Sequence, residues 1–509
     1  MDETKTKTRI VLVCLVWFGI LGLVWLGWKF WWAPAQKELE VQKVEEEQKQ
    51  TIVKTSAAAR FKHQLTFAAD SFSGYAPIRS ADFQEECSSF GIRVDLIDDG
   101  ADYPKRMKSL AEGKTQMAVF TWDAFVKASA GLGDMPVVVI FITDESKGAD
   151  AVVASKTLFP DLDSLNVPGV KFVCVADSPS ETVVRVVMAN FNLDQIGDQP
   201  FEFVANANEV WNAYKKTGAN EKKVFVTWEP YVSKMVDNPE YHAIIDSSKF
   251  RGYIVDVVVV QRSFLLKNEE VVENVTKAYF TTVFKHRNDM NQLVADDARQ
   301  LGEVLKPEQV ERLCKTIWWK NTQENYGHFG FTTGHIQHLD SIHRNILGVL
   351  QRTGAITQDP SNGQPNLWYY DKIMRKLFDT GWYPGFGQES VREEKSLLAL
   401  SDEEWTSLRP IGTLQIPRLV FARGTSRLTD ASNQTLDELV ENLKTWPQYY
   451  LSVRGHAASN ADMELAEARA KATMDYLAQK NVNRNRMRTE SKQSDGSTTV
   501  SFILGELPY

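Results

Sequence analysis

The residues best suited to chemistry gather where four apolar runs end. Asp70, Ser71, Phe72, Ser73, Gly74 and Tyr75 close and follow QLTFAAD, and Phe120, Thr121 and Trp122 close QMAVFTW. Asp177, Ser178, Pro179, Ser180, Glu181 and Thr182 follow KFVCVA, and Trp228 and Glu229 end the KVFVTW run and the turn after it. Aromatic planes with a few hydroxyls and one or two carboxylates are what a small-molecule cleft requires. A helix opening at Ser178 adds the unbonded N–H groups and positive dipole end of its first turn, which suit an anionic or polar group. Each feature has a plainer reading: Ser and Asp cap helices, and aromatics near strand ends belong to a core. Recurrence after four successive runs is what favours a site.

Two other chemistries compete with a cleft. His335 and His338, with Asp340 nearby, suit a metal if one helical face carries them; surface or interface histidines are the competing reading. No GxSxG elbow, P-loop, HExxH or dinucleotide fingerprint occurs, so the chain is read as a non-enzyme with no cofactor and no metal.

The elements that position these residues begin at His63. QLTFAAD, IRVDLI, QMAVFTW and MPVVVIFIT read as strands, with helices near Pro77 and around 103–112 and 122–130. A second series, VVAS, VKFVCVA, FEFVA and KVFVTW, starts near Ala151; GYIVDVVVV then returns, followed by helices near 268–288, 307–319 and 337–352. The alternation predicts parallel α/β sheets in two lobes, with crossings near 146–151 and 250–256 and a cleft between. Ligands of open α/β sheets bind beyond the strand carboxyl ends, which face that cleft. The last hundred residues predict a separate α+β sandwich: strand LQIPRLVF, helix 430–445, strand YLSVRGH, helix 461–479 and strand TTVSFIL.

The N-terminal part has a different character. No charge occurs from Ile10 to Trp28, a run that spans roughly 28 Å as a helix, close to the hydrocarbon thickness of a bilayer. Trp25, Trp28, Trp31 and Trp32 cluster at its far end, and Lys5, Lys7 and Arg9 precede it, placing the N-terminus in the cytoplasm. A cleaved signal peptide ending near Ala33-Pro34-Ala35 is the rival reading; the run exceeds the usual apolar core of one. The expected organisation is a cytoplasmic tail 1–9, transmembrane helix 10–32, helical stalk 33–60, two-lobe domain 61–383, linker 384–410 and C-terminal domain 411–509.

Composition limits the partners. The 509 residues carry 58 Lys and Arg against 66 Asp and Glu, a net charge of -8, so no basic excess exists to neutralise nucleic acid. With 43% hydrophobic and 24% charged residues the chain is ordinary for a globular protein. Cys14, Cys87, Cys174 and Cys314 lack paired spacing and form neither a disulfide framework nor a zinc site.

The order AADSFSGYAPIRSADFQEECSSFGIRVDLI, LAEGKTQMAVFTWDAF, MPVVVIFITDESKGADAVVAS, VADSPSETVVRVVMANF and VFVTWEPYVSKMVDNPEY resembles the periplasmic solute-binding proteins of the nitrate, sulfonate and thiamine-precursor group, over about residues 64–380. That resemblance implies two lobes closing on a solute for an ABC permease. It also implies a cleft lined by Asp70, Phe72, Tyr75, Phe120, Thr121, Trp122, Ser178, Ser180, Thr182, Trp228 and Glu229. A pyrimidine-forming enzyme shares the fold but uses a cysteine-rich run that this sequence lacks. IPRLVFARGTSRLTDASNQTLDELVENLKTWPQYYLSVRGHAASN followed by MELAEARAKATMDYLAQKNV resembles the OmpA-like peptidoglycan-associating domain. In that family an Asp and an Arg clamp diaminopimelate. Arg469 matches the Arg, Ala458 stands where the Asp belongs, and Asp462 where Asn is usual.

The resulting expectation is a bacterial inner-membrane protein with its bulk in the periplasm, binding a small polar or anionic solute between lobes and peptidoglycan through its C-terminal domain. An ABC permease or other envelope protein is the expected partner. The alternative is an envelope scaffold with a vestigial cleft.

Overall fold

The computed structural model describes residues 61–507, apart from 219, 230, 333–335, 386–388, 390, 392–396 and 495–498. The expected membrane helix and stalk lie outside the described residues; among those described, no helix is long and apolar enough to cross a membrane.

The first lobe is built on a six-stranded sheet, ordered β11 (Ile317–Trp319), β4 (Val137–Ser146), β10 (Val255–Gln261), β3 (Met117–Thr121), β1 (His63–Ala68) and β2 (Ile92–Ile97). β4 and β3 are buried at every position, and β10 at all but its last, because helices cover both faces. That is why they read as unbroken Val and Ile rather than alternation. The second lobe has five strands, ordered β7 (Phe201–Val204), β6 (Lys171–Val175), β8 (Lys223–Trp228), β5 (Asp150–Ser155) and β9 (Tyr241–Asp246).

Both sheets are mixed, which corrects the expectation of parallel ones. β1 and β3 pair in parallel, but β10 runs antiparallel to both β3 and β4; in the second lobe β5 opposes both β8 and β9. The cause is the crossing itself. β4 leaves the first lobe at Ser146 and enters the second as β5 at Asp150, so the chain arrives against the direction of its neighbours; β10 returns in the same manner after Asp246. The strand ends at the lobe junction are therefore carboxyl ends of β3, β4, β6 and β8 together with amino ends of β5 and β10.

The C-terminal sheet is ordered β12 (Arg409–Thr413), β15 (Val500–Glu506), β13 (Tyr450–Ala457) and β14 (Met487–Gln493). Its helices are Asp430–Leu443, opened by a Thr429 cap on the Ser432 N–H, and Met463–Gln479. LQIPRLVF, expected as a strand, is not one: the first strand is RPIGT, which pairs with β15, and Phe421 makes only an isolated bridge to Leu428. β12 and the helix Asp402–Ser407 start within the stretch expected as a linker. Gly455 is where β13 passes under helix Met463–Gln479. A Cβ there would stand 2.1 Å from the Ala466 carbonyl oxygen, so only glycine permits this packing.

This domain docks on the second lobe and on the returning crossing. Arg251 N donates to Thr445 O at 2.9 Å, Gln415 N to Asn190 O at 2.7 Å, and Trp446 packs edge-on to Phe191 and Phe250. Lys249 of the crossing and Arg409 both pair with the buried Glu506.

Candidate functional site

Three neighbouring strands put polar side chains in one row at the lobe junction. Thr121 of β3, Asp256 of β10 and Asp144 of β4 occupy the same register, so their side chains share a face. A register shift in β4 leaves Thr143 extra between Asp144 and Ile142. Such a bulge re-aims a side chain, and here the Thr143 hydroxyl faces Asp144. The Tyr75 hydroxyl donates to Asp256 Oδ1 at 2.7 Å, and Gly74 brings its backbone against the Asp144 carboxylate, where a Cβ would stand 2.9 Å from Oδ2. Asp70 is tied off: Arg106 Nη2 reaches its Oδ2 at 3.0 Å while Arg106 Nε donates to Asp99 Oδ2 at 2.8 Å.

The second lobe faces this row. Thr182 donates from its hydroxyl to Asp123 Oδ2 across the junction, and Lys127 reaches Asp177 at 3.2 Å and Glu181 at 3.3 Å. Asp150, opposite Trp228 in register, accepts from Ser146 Oγ at 2.7 Å. Glu229 accepts from the Ser233 hydroxyl at 2.7 Å and its N–H at 3.1 Å.

Burial dominates the electrostatics. Asp123 and Asp144 are fully buried and Asp150 and Asp256 nearly so; among the described residues no ion pair reaches any of the four. Desolvation lifts the Asp123 carboxyl, and lifts Asp150 to about 7, aided by the fields of Asp123, Asp144 and Glu229. Asp144 and Asp256 both rise through burial, and Asp256 most, because its neighbour's charge opposes its own ionisation. Several buried oxygens lack a well-aligned hydrogen bond: Thr121 Oγ1, Asp123 Oδ1, Thr143 Oγ1, both carboxylate oxygens of Asp144, Ser180 Oγ and Thr227 Oγ1. Buried polar atoms are normally satisfied, so an array of orphans at strand ends is a candidate site.

The expected cleft residues divide accordingly. Asp70, Tyr75, Thr121 and Thr182 belong to the junction by the contacts above, and Ser180 is fully buried two residues before Thr182. Phe72 packs edge-on to Tyr75 at 5.2 Å, and Ser178 returns its hydroxyl to Val175 O at 2.7 Å. Phe120 lies between Tyr103 and Phe125 in the core, and the fully buried Trp122 donates to His343 Nδ1 at 3.3 Å. Trp228 and Glu229 are half-buried at the end of β8. His335 lies outside the described residues. His338 caps helix Leu339–Arg352 by accepting from the Asp340 N–H, rather than riding on it.

Asp123, Asp144, Asp150, Asp256 and Arg106 were not among the expected site residues. The signal for two of them was present: an acid interrupts the apolar run in both VVVIFITDES and GYIVDVVVV.

In the C-terminal domain Arg469 is buried. Its Nε donates to Thr425 O at 3.0 Å and its guanidinium covers the Phe421 ring at 4.9 Å. Asp462, before the helix that carries Arg469, accepts from Ser459 Oγ at 2.7 Å.

Comparison with known proteins follows the same division. Over 62–66% of its length the chain is similar to solved structures at low identity. A putative periplasmic sulfonate-binding protein SsuA of an ABC transporter from Methylobacillus flagellatus is 14% identical, with TM-score 0.48 over 66% of this chain and 99% of that one. The nitrate-binding protein NrtA of Synechocystis is 11% identical, with TM-score 0.43 over 62% and 88%. A peptidoglycan-associated lipoprotein of Brucella melitensis is 37% identical over 87 residues, 16% of this chain and 52% of that protein. The chain thus spans about half the length of the curated relatives it matches. Residues 420–500 match the OmpA family.

Proposed function

We propose that this is a membrane-anchored protein of the bacterial envelope. It holds a small polar solute between the two lobes and attaches to peptidoglycan through its C-terminal domain, as a transport or sensing receptor in the periplasm. The single observation carrying the solute reading is the array of buried, unpartnered oxygens where strand ends of both lobes meet. The wall reading rests on the match of residues 420–500 and on the retained Arg469, whose planar fork suits a carboxylate. An anchor at 10–32 and a fixed wall contact suit a stationary receptor serving a fixed partner, such as a permease, better than a diffusing shuttle.

A second reading is favoured by one contact. The Thr182 hydroxyl on Asp123 closes the junction with the protein's own groups, as a vestigial cleft in an envelope scaffold would. Thermal shift of the full chain with a library of sulfonates, nitrate, pyrimidines, amino acids and amines separates the two: stabilisation by any member supports the receptor, and none supports the scaffold. Co-sedimentation with purified sacculi tests the wall contact. Arg469→Ala should lose most of the bound fraction, and equal binding by the variant refutes the clamp.

A further inference from the structure

We propose that the solute held between the lobes is a cation bearing N–H donors, an organic amine or amidine, with Asp144 as its principal counter-charge. This deepens the solute-binding reading and rests on it.

The inference stands on which atoms lack partners. The unpartnered atoms that the strand ends and helix starts carry at the junction are carboxylate and hydroxyl oxygens, those of Asp123, Asp144, Thr121, Thr143, Ser180 and Thr227. What such a surface lacks is a positive charge, since four buried carboxyls meet there and, among the described residues, no ion pair reaches any of them. An anion would meet those carboxyls without a free cation to offset them, because the nearby cations are engaged: Arg106 by Asp70 and Asp99, Lys127 by Asp177 and Glu181, Lys320 by Glu145 at 2.6 Å. Asp144, fully buried, has no well-aligned hydrogen bond on either oxygen and no ion pair, with the Thr143 hydroxyl and the Asp256 carboxyl beside it. The Thr143 hydroxyl, brought beside Asp144 by the bulge, and the Thr121 hydroxyl, directed at Asp123, are buried and likewise lack a well-aligned partner. An ammonium or amidinium group supplies several N–H donors and a charge at once, forming the short charge-assisted bonds that a buried carboxylate favours. A bare metal ion fits less well, since among the described residues no three acidic, His or Cys side chains converge as a metal set.

Burial favours the protonated form of these carboxyls while the junction is empty. When a protonated amine binds, a carboxyl proton leaves to solvent and the new carboxylate pairs with the ammonium, so charge balances. Binding therefore releases protons, which appears as a dependence of the measured heat on the buffer's ionisation enthalpy.

The test is calorimetric titration of the full chain in mild detergent. Ethanolamine, putrescine and agmatine form one arm, nitrate and methanesulfonate a second, and myo-inositol a third. An amine should bind with proton release, and Asp144→Asn should weaken it about ten- to a hundredfold. The same substitution should leave the empty protein as stable or more so, since a neutral amide replaces an unpaired buried carboxyl; a purely structural role would lower the melting temperature instead. Asp123→Asn serves as a second variant should the first fail to fold. Binding only in the anion or neutral arm overturns the cation assignment while leaving solute binding intact. No binding in any arm overturns both, and undiminished amine binding by Asp144→Asn and Asp123→Asn overturns the assigned counter-charge.

Discussion

Asp150 offers the cleanest measure of how strongly the lobe junction resists charge. It is 3% exposed, and burial outweighs the Ser146 hydrogen bond, lifting the carboxyl from an ordinary 3.8 to about 7. A carboxyl that holds its proton more tightly when folded stabilises the fold fully below about pH 4, and that contribution drains away as pH rises to about 7. At about 1.4 kcal/mol per pH unit, the loss across that interval is about 4 kcal/mol. Asp150→Asn keeps the shape and an oxygen to accept from Ser146 but cannot ionise, so it escapes this loss. His328, pushed down to about 3, and His343, to about 4, act in the opposite sense. Neutral in the folded protein, they add stability as pH rises toward 6.5, in parent and variant alike, and cancel from the difference. Urea unfolding of both proteins from pH 4.5 to 8 measures it. The stability difference should swing toward the asparagine variant by up to about 4 kcal/mol, mostly between pH 5 and 7. Parallel curves would show that Asp150 ionises in the fold as it does in water, and the account of the junction would fail.

Two further perturbations probe how the bodies are held. Arg106→Leu leaves Asp70 and Asp99 buried without their cation, and loss of one partner of a buried pair predicts about 3–5 kcal/mol of destabilisation in the same urea assay; a loss under 1 kcal/mol refutes the pairing. Glu506→Gln strands the buried Lys249 ammonium on the returning crossing and should uncouple the C-terminal domain, giving two calorimetric transitions where the parent gives one; a single unchanged transition refutes the docking role.

Local composition carried much of this architecture. IRVDLI and KVFVTW are strands over those very residues, and the crossings fall at 146–150 and 246–255, because runs of β-branched residues bounded by turn formers have few other uses. Helices at 103–111, 122–129 and 463–479 were legible from period and caps. Strands without an apolar signature were not. β14, MRTESKQ, is a half-exposed edge strand that exists because β13 pairs with it, and RPIGT is a strand only because β15 lies beside it. The strand-end loops that border the site could be listed from the order of runs alone, since the topology of α/β lobes dictates where ligands go. Which acids meet could not. Asp144 and Asp256 become neighbours when β10 inserts antiparallel between β3 and β4, and Asp150 owes its raised pKa first to burial and then to the fields of Asp123 and Asp144 from the other lobe and Glu229 from its own. Strand type is written in local side-chain pattern, whereas the field at a buried carboxyl is a sum over distant chain segments, fixed only when the lobes have packed and excluded water.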